Sequence, residues 1–363
     1  QFHTPYALVL DDSGESMFVA DRDNNAIRFI DADAGQTYTM ITQWLNKPVG
    51  IARDSSGNIY VLNRGNGNNG NVLTFDMYGD FVATNAVALT NANGMARDIN
   101  GNLYLTVQNN TVIRVTPAGV KSVVATVPHA GAVLRGLTVK YNGLLAVCDS
   151  GRHGIYLINP NTGVITTNAG FHGAGDFSLP NNTASAASAK FNQPYGVIEA
   201  GDGNLVVSDF GNHRVKYVLA SGVVTNLYGV SSNYWLGPLN VSQGIFPGWY
   251  DGTVAIPDAQ GGVEARQPVG LALASDGTLY VTEIYYHLIR KVTSTGLPPP
   301  PPPPPGAPTI ISVTTNSGSV ALTWSAVPNS TNYFVKRSTT SGGPYTIIAA
   351  VNLTSYNDTA VIN

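Results

Sequence analysis

The chain has 363 residues, with 19 Lys and Arg against 22 Asp and Glu and a formal net charge of −3. Only 11 % of residues are charged, where an ordinary soluble domain carries about a quarter. This balance lacks the clustered basic surface of a nucleic-acid binder. The one cysteine, Cys148, excludes a disulfide framework and a thiolate zinc cluster, and no apolar run reaches the length of a membrane-spanning helix.

In chain order, one phrase recurs six times: a strand, a tight turn ending in Gly, and a second strand. The turns close at Gly14, Gly57, Gly101, Gly143, Gly203 and Gly277, spaced 43, 44, 42, 60 and 74 residues apart. Each leads into an apolar strand (SMFVAD, NIYVLN, NLYLTV, LLAVCD, NLVVSD, TLYVTE), and a third strand follows a short loop. The last two gaps hold insertions at about 169–192 and 229–266. A repeat of about 40–45 residues with several strands per unit is the signature of a β-propeller. One small sheet cannot bury both faces, but sheets packed radially cover each other. The strand before each turn is then innermost, and five carry a glycine near the start: Gly50, Gly94, Gly136, Gly196 and Gly270, with Ala7 in the first. Small residues suit strands that crowd an axis.

The segments Asp209-Phe-Gly-Asn-His213-Arg214-Val and Ala186–Gly196 (AASAKFNQPYG), with weaker echoes at Asp21–Arg28 and Asp149–His153, resemble the NHL-repeat propellers. The likeness spans roughly residues 1–296 and implies a six-bladed β-propeller. It is specific for fold and says little about activity. Asn63 and Val107 stand where the repeat usually has Asp, which weakens any reading of the repeated acids as a functional ring.

Residues 297–307 form a linker whose eight prolines, 298–305, cannot enter a sheet or helix interior. As a polyproline II rod they span about 25 Å. Residues 308–363 are again β, and Trp324, Tyr333 and Val335 give the pattern a resemblance to a fibronectin type III, immunoglobulin-like β-sandwich with Trp324 as core aromatic. Such a sandwich has seven strands, and about five fit here. The sixth propeller unit also yields only three strands before Gly296. These shortfalls predict that the chain is a fragment or that a partner chain supplies strands.

Six histidines occur: His3, His129, His153, His172, His213 and His287. His153 and His213 share one repeat position, which points to a hydrogen bond with the neighbouring blade rather than a metal. Asp21, Asp149, Asp209 and Glu283 recur at the end of the second strand, where carboxylates accept backbone N–H bonds of the following loop. Cys148 reads as a small buried hydrophobe. No nucleophile motif is present, so no catalytic residue, metal ligand or cofactor is assigned, and none is expected.

The second insertion carries Tyr234, Trp235, Phe246, Trp249 and Tyr250. These rings form either a platform for sugar or protein partners or a cap on the propeller core. Glycosylation sequons stand at Asn109, Asn181, Asn240, Asn329, Asn352 and Asn357. The function expected is that of a non-catalytic, secreted bacterial surface or structural glycoprotein. Its propeller is a rigid presentation head for other protein chains or glycans, without nucleic acid or a membrane span, and its incomplete sheets allow a filament built by strand complementation. The alternatives are a carbohydrate-binding part of a larger extracellular enzyme and a metal-dependent propeller lyase.

Overall fold

The computed structural model describes residues 1–11, 13–14, 16–31, 34–171, 173–175, 183–185, 188–228, 249–253, 265–293, 296–300, 308–327, 333–338 and 346–361. The chain divides into two compact units, Gln1–Pro301 and Pro302–Asn363.

The first unit is all-β and propeller-like. Its described strands form six sheets. Sheet one comprises Pro5–Leu10, Met17–Asp21, Ala26–Asp31 and Gln36–Ile41; sheet two Pro48–Arg53, Ile59–Asn63, Gly70–Phe75 and Phe81–Leu89. Sheet three comprises Gly94–Arg97, Leu103–Val107, Thr111–Val115 and Lys121–Thr126; sheet four Leu134–Val139, Leu145–Asp149, Gly154–Ile158 and Ile165–Gly170. Sheet five runs Pro194–Glu199, Leu205–Asp209, Arg214–Val218 and Val224–Tyr228, with Thr183–Ala184 added outside. Sheet six runs Pro268–Leu273, Leu279–Glu283 and Leu288–Thr293.

All six turn glycines adopt positive φ, from 76° to 88°. In each turn the glycine N–H donates to the carbonyl three residues back, as from Gly57 to Asp54 and from Gly277 to Ala274. Only glycine takes this conformation without steric penalty, so the recurring punctuation has one mechanical cause. Asp11, Asp54 and Asp98 add a side-chain bond to the N–H two residues on.

Each second strand is buried along its whole length except at the half-buried Tyr60 of sheet two, and cores of Val, Leu, Ile and Ala fill the spaces between neighbouring sheets. The inner strands touch in cyclic order, sheet one to two and onward to six, and six back to one. The glycines permit this approach. A Cβ on Gly94 would lie 2.4 Å from the Arg135 carbonyl oxygen, on Gly136 2.6 Å from that of Tyr195, on Gly196 2.0 Å from that of Val269, and on Gly270 2.7 Å from that of Tyr6. Hydroxyls lock the same contacts: Thr106 Oγ1 donates to the Arg135 carbonyl, Ser208 Oγ to Val269 and Thr282 Oγ1 to Tyr6.

The expectation that sheet six stops at three strands is corrected. Trp249–Thr253, from the second insertion, lies beside Leu288–Thr293 as a parallel outer strand. Parallel pairing needs a long crossover, and here the fourth strand precedes the other three in the chain, so a search for a strand after Gly296 or before Pro5 misses it. The start of the proline run is held at its first residue, where Gly201 N–H donates to the Pro298 carbonyl at 3.1 Å.

The second unit has a three-stranded sheet, Ile310–Asn316, Ser319–Trp324 and Ser355–Asp358, and a hairpin of Tyr333–Arg337 with Thr346–Val351. Trp324 and Val335 are its buried hydrophobic residues among those described. The Trp324 ring meets Tyr333 edge-on at 5.5 Å, and Tyr333 Oη accepts the Val327 N–H.

Candidate functional site

The repeat separates residues that build the frame from residues that do not. The recurring acids belong to the frame. Asp21, Asp149, Asp209 and Glu283 are fully buried. Asp21, Asp149 and Asp209 each accept the N–H of a residue just before the inner strand of their own sheet: His3 at 2.7 Å, Val133 at 2.9 Å and Asn192 at 2.7 Å. Asp149 also accepts from Gly151 and Arg152 in the following loop. In sheet two, Asn63 replaces Asp and still accepts the Asn46 N–H. Cations complete three of the sites: Arg28 on Asp21 at 2.9 Å, Lys216 on Asp209 at 2.6 Å and Arg290 on Glu283 at 3.3 Å. Burial raises the Asp209 carboxyl above its ordinary range against the opposing pull of Lys216.

The histidines at the repeat position also belong to the frame. His153, His213 and His287 all take the left-handed conformation, at φ 60°, 57° and 57°. His153 Nδ1 accepts the Gln193 N–H of the next sheet at 3.0 Å, and His213 Nδ1 accepts that of Gln267 at 3.2 Å. His287, which the sequence reading left out of this set, does the same to Thr4 at 3.0 Å. Among the described residues no three of His, Cys, Asp and Glu gather as a metal site. Cys148 is fully buried, and burial together with Asp209 and Asp149 raises its thiol well above the ordinary range.

What varies inside this frame is the residue before each inner-strand glycine: Tyr6 (before Ala7), Val49, Asn93, Arg135, Tyr195 and Val269. Except at Asn93, each sits where the register of the inner strand slips. Such bulges re-aim side chains. Five of the six line the central cavity of about 450 Å³, and Arg135 lies over the Tyr195 ring at 4.7 Å. A second column follows the repeated acid: Arg22, Arg64, Gln108, Ser150, Phe210 and Ile284.

The two columns meet at one end of the cavity. Tyr195 stacks on Phe210 with centroids 4.4 Å apart, and Tyr6 meets Tyr195 at 6.3 Å. Arg22 lies 5.7 Å from the Tyr6 ring centroid. Arg135 is held in place by Nε donating to Ser150 Oγ and Nη1 to Asn93 Oδ1, both at 3.0 Å. Burial and the neighbouring Tyr195 push the Tyr6 phenol up to about 12, although Arg135, Arg22 and Arg64 pull it down. The mouth therefore combines flat aromatic faces, guanidinium groups and phenolic hydroxyls, which can bind and orient a small polar molecule. At the other end Arg53 and Arg97 line the cavity and lie over Phe18 and Tyr60.

This mouth was not legible as a motif, because its residues are dispersed over five sheets and share only one of two repeat positions, before the inner-strand glycine or after the repeated acid. Of the aromatic residues singled out in the second insertion, Tyr234, Trp235 and Phe246 lie outside the described residues. The backbones of Trp249 and Tyr250 form the outer strand of sheet six. Of the sequons, Asn109, Asn352 and Asn357 are exposed, whereas Asn181, Asn240 and Asn329 lie outside the described residues.

No family model matches the chain, and no curated protein matches it in sequence. Solved structures share its fold. An auxiliary nutrient binding protein from Bacteroides thetaiotaomicron VPI-5482 superposes with a TM-score of 0.63 at 18 % identity, over 80 % of this chain and 69 % of that one. One from Bacteroides ovatus ATCC 8483 gives 0.61 at 15 % identity over the same shares. A streptogramin B lyase gives 0.53 at 17 % identity, over 78 % of this chain and 91 % of that one. At these identities the likeness is one of fold alone.

Proposed function

We propose that the first unit is a six-bladed, NHL-type propeller acting as a non-catalytic binding head, with the ligand seated at the cavity mouth formed by Tyr6, Asn93, Arg135, Tyr195 and Phe210. One observation carries the reading. The frame repeats around the ring, and the variable position inside it puts Tyr6, Asn93 and Tyr195 at one end of a common cavity, with Arg135 over the Tyr195 ring. The acids a reaction would call on are buried in frame contacts. Nutrient-binding proteins stand among the fold neighbours, beside a lyase, and a binding role is consistent with that fold.

In this reading the proline run spaces the head from a fibronectin type III-like module, and the whole is a secreted surface protein bearing glycans at exposed sequons. Assembly into a fibre by strand addition belongs to the same reading, for the second unit: its edge strand Ile310–Asn316 is exposed at every position. The experiment is a glycan array probed with the full chain and with Tyr195→Ala. The proposal expects a bound glycan, lost in the variant at unchanged melting temperature and recovered chemically intact. A glycan released in altered form would establish the lyase alternative instead.

A further inference from the structure

The mouth has a chemical bias that a neutral sugar site does not need. Arg22, Arg64 and Arg135 all act electrostatically on Tyr6. Arg22 has Asp23 at 3.7 Å. Among the described residues, neither Arg64 nor Arg135 has a carboxylate within ion-pair distance. Neither Tyr6 Oη nor Tyr195 Oη has a hydrogen-bond partner among them either. A protein whose formal charge is −3 has thus left two guanidinium groups, those of Arg64 and Arg135, without a matching acid among the described residues, and guanidinium forks suit carboxylates geometrically.

Charge alone does not describe the place. The stacked and partly exposed Tyr195 and Phe210 offer flat apolar surface, the complement of the C–H face of a pyranose, while the phenols supply hydroxyl partners. Inorganic phosphate would leave the rings unused. A nucleic acid chain is opposed by the net charge of the protein.

We infer that the mouth takes a carboxylate-bearing sugar, a hexuronate unit, with its acid group at Arg135 and the phenols, in the field of Arg64, and its ring against Tyr195. Arg135 is pre-positioned for this by Ser150 and Asn93, so its fork loses little freedom on binding. This inference rests on the binding-head reading and deepens it.

The test is isothermal titration of the full chain with digalacturonate, its neutral counterpart galactobiose, inorganic phosphate and benzoate. Digalacturonate should bind, galactobiose at least ~10-fold more weakly, and the other two without measurable heat, with affinity falling as salt rises. Arg64→Gln and Arg135→Gln should each weaken digalacturonate by ~10-fold or more. Arg64 is included because Arg135 also holds Asn93 and Ser150. Equal binding of the acidic and neutral sugars overturns the inference, as does phosphate or benzoate binding as tightly as digalacturonate. So does digalacturonate binding that both Arg variants leave intact. A neutral glycan bound on the array and lost in Tyr195→Ala, with no digalacturonate heat, overturns the acidic class while sparing the binding head. No glycan bound in either experiment overturns both.

Discussion

His287 Nδ1 accepts the backbone N–H of Thr4 at 3.0 Å across a separation of 283 residues. It joins the last sheet to the chain start by the bond that His153 and His213 use between successive sheets. The first strand thus lies beside the sixth sheet as an ordinary neighbour, and Tyr6 offers its carbonyl to Thr282.

Removing this staple should loosen ring closure. His287→Ala leaves a buried N–H unsatisfied and is expected to lose about 1–2 kcal/mol in urea unfolding. The exposed His129→Ala should stay within about 0.5 kcal/mol of wild type. Equal effects of the two would mean that the staple contributes nothing.

Gly196 has the least room of the inner-strand glycines, since an added Cβ would lie 2.0 Å from the Val269 carbonyl oxygen. The contact is with backbone, so the neighbouring sheet must move. Gly196→Ala is expected to lose about 3 kcal/mol or more. The reverse change at the same position of sheet one, Ala7→Gly, should lose about 1 kcal/mol. Thermal melts compare them, and a Gly196→Ala protein as stable as wild type would contradict the close packing of the ring.

Lys216 and Asp209 are both fully buried and 2.6 Å apart. Lys216→Met strands a buried carboxylate and should destabilise by about 3–5 kcal/mol at neutral pH. Burial already holds the Asp209 carboxyl above its ordinary range, and losing the lysine removes the main opposing influence. A carboxyl raised in the folded state favours folding below its unfolded pKa, and that contribution is lost as pH rises through the folded value. The deficit of the variant should therefore shrink as pH falls and Asp209 takes up a proton. A deficit independent of pH would show that lost packing, and not the stranded charge, is responsible.

Much of this architecture was legible in the residues, for reasons that can be named. A turn glycine at positive φ, an inner-strand glycine against a carbonyl and a buried acid binding its own loop are each local requirements, so they recur at fixed spacing. Trp249–Thr253 was not legible as the closing strand, because its partner Leu288–Thr293 lies far downstream and the pairing is parallel. The mouth was hidden for the opposite reason. Tyr6, Asn93, Arg135 and Tyr195 share a position but span three residue types, and periodicity reports only what repeats. Once the frame is aligned on its glycines, the column before them can be read from the sequence directly.

The most direct test of the account is a crystal structure of the full chain grown with digalacturonate. The account predicts the sugar ring over Tyr195, with its carboxylate within hydrogen-bond distance of Arg135. Sugar bound on the second unit or along the outer strands, with the mouth empty, would contradict it.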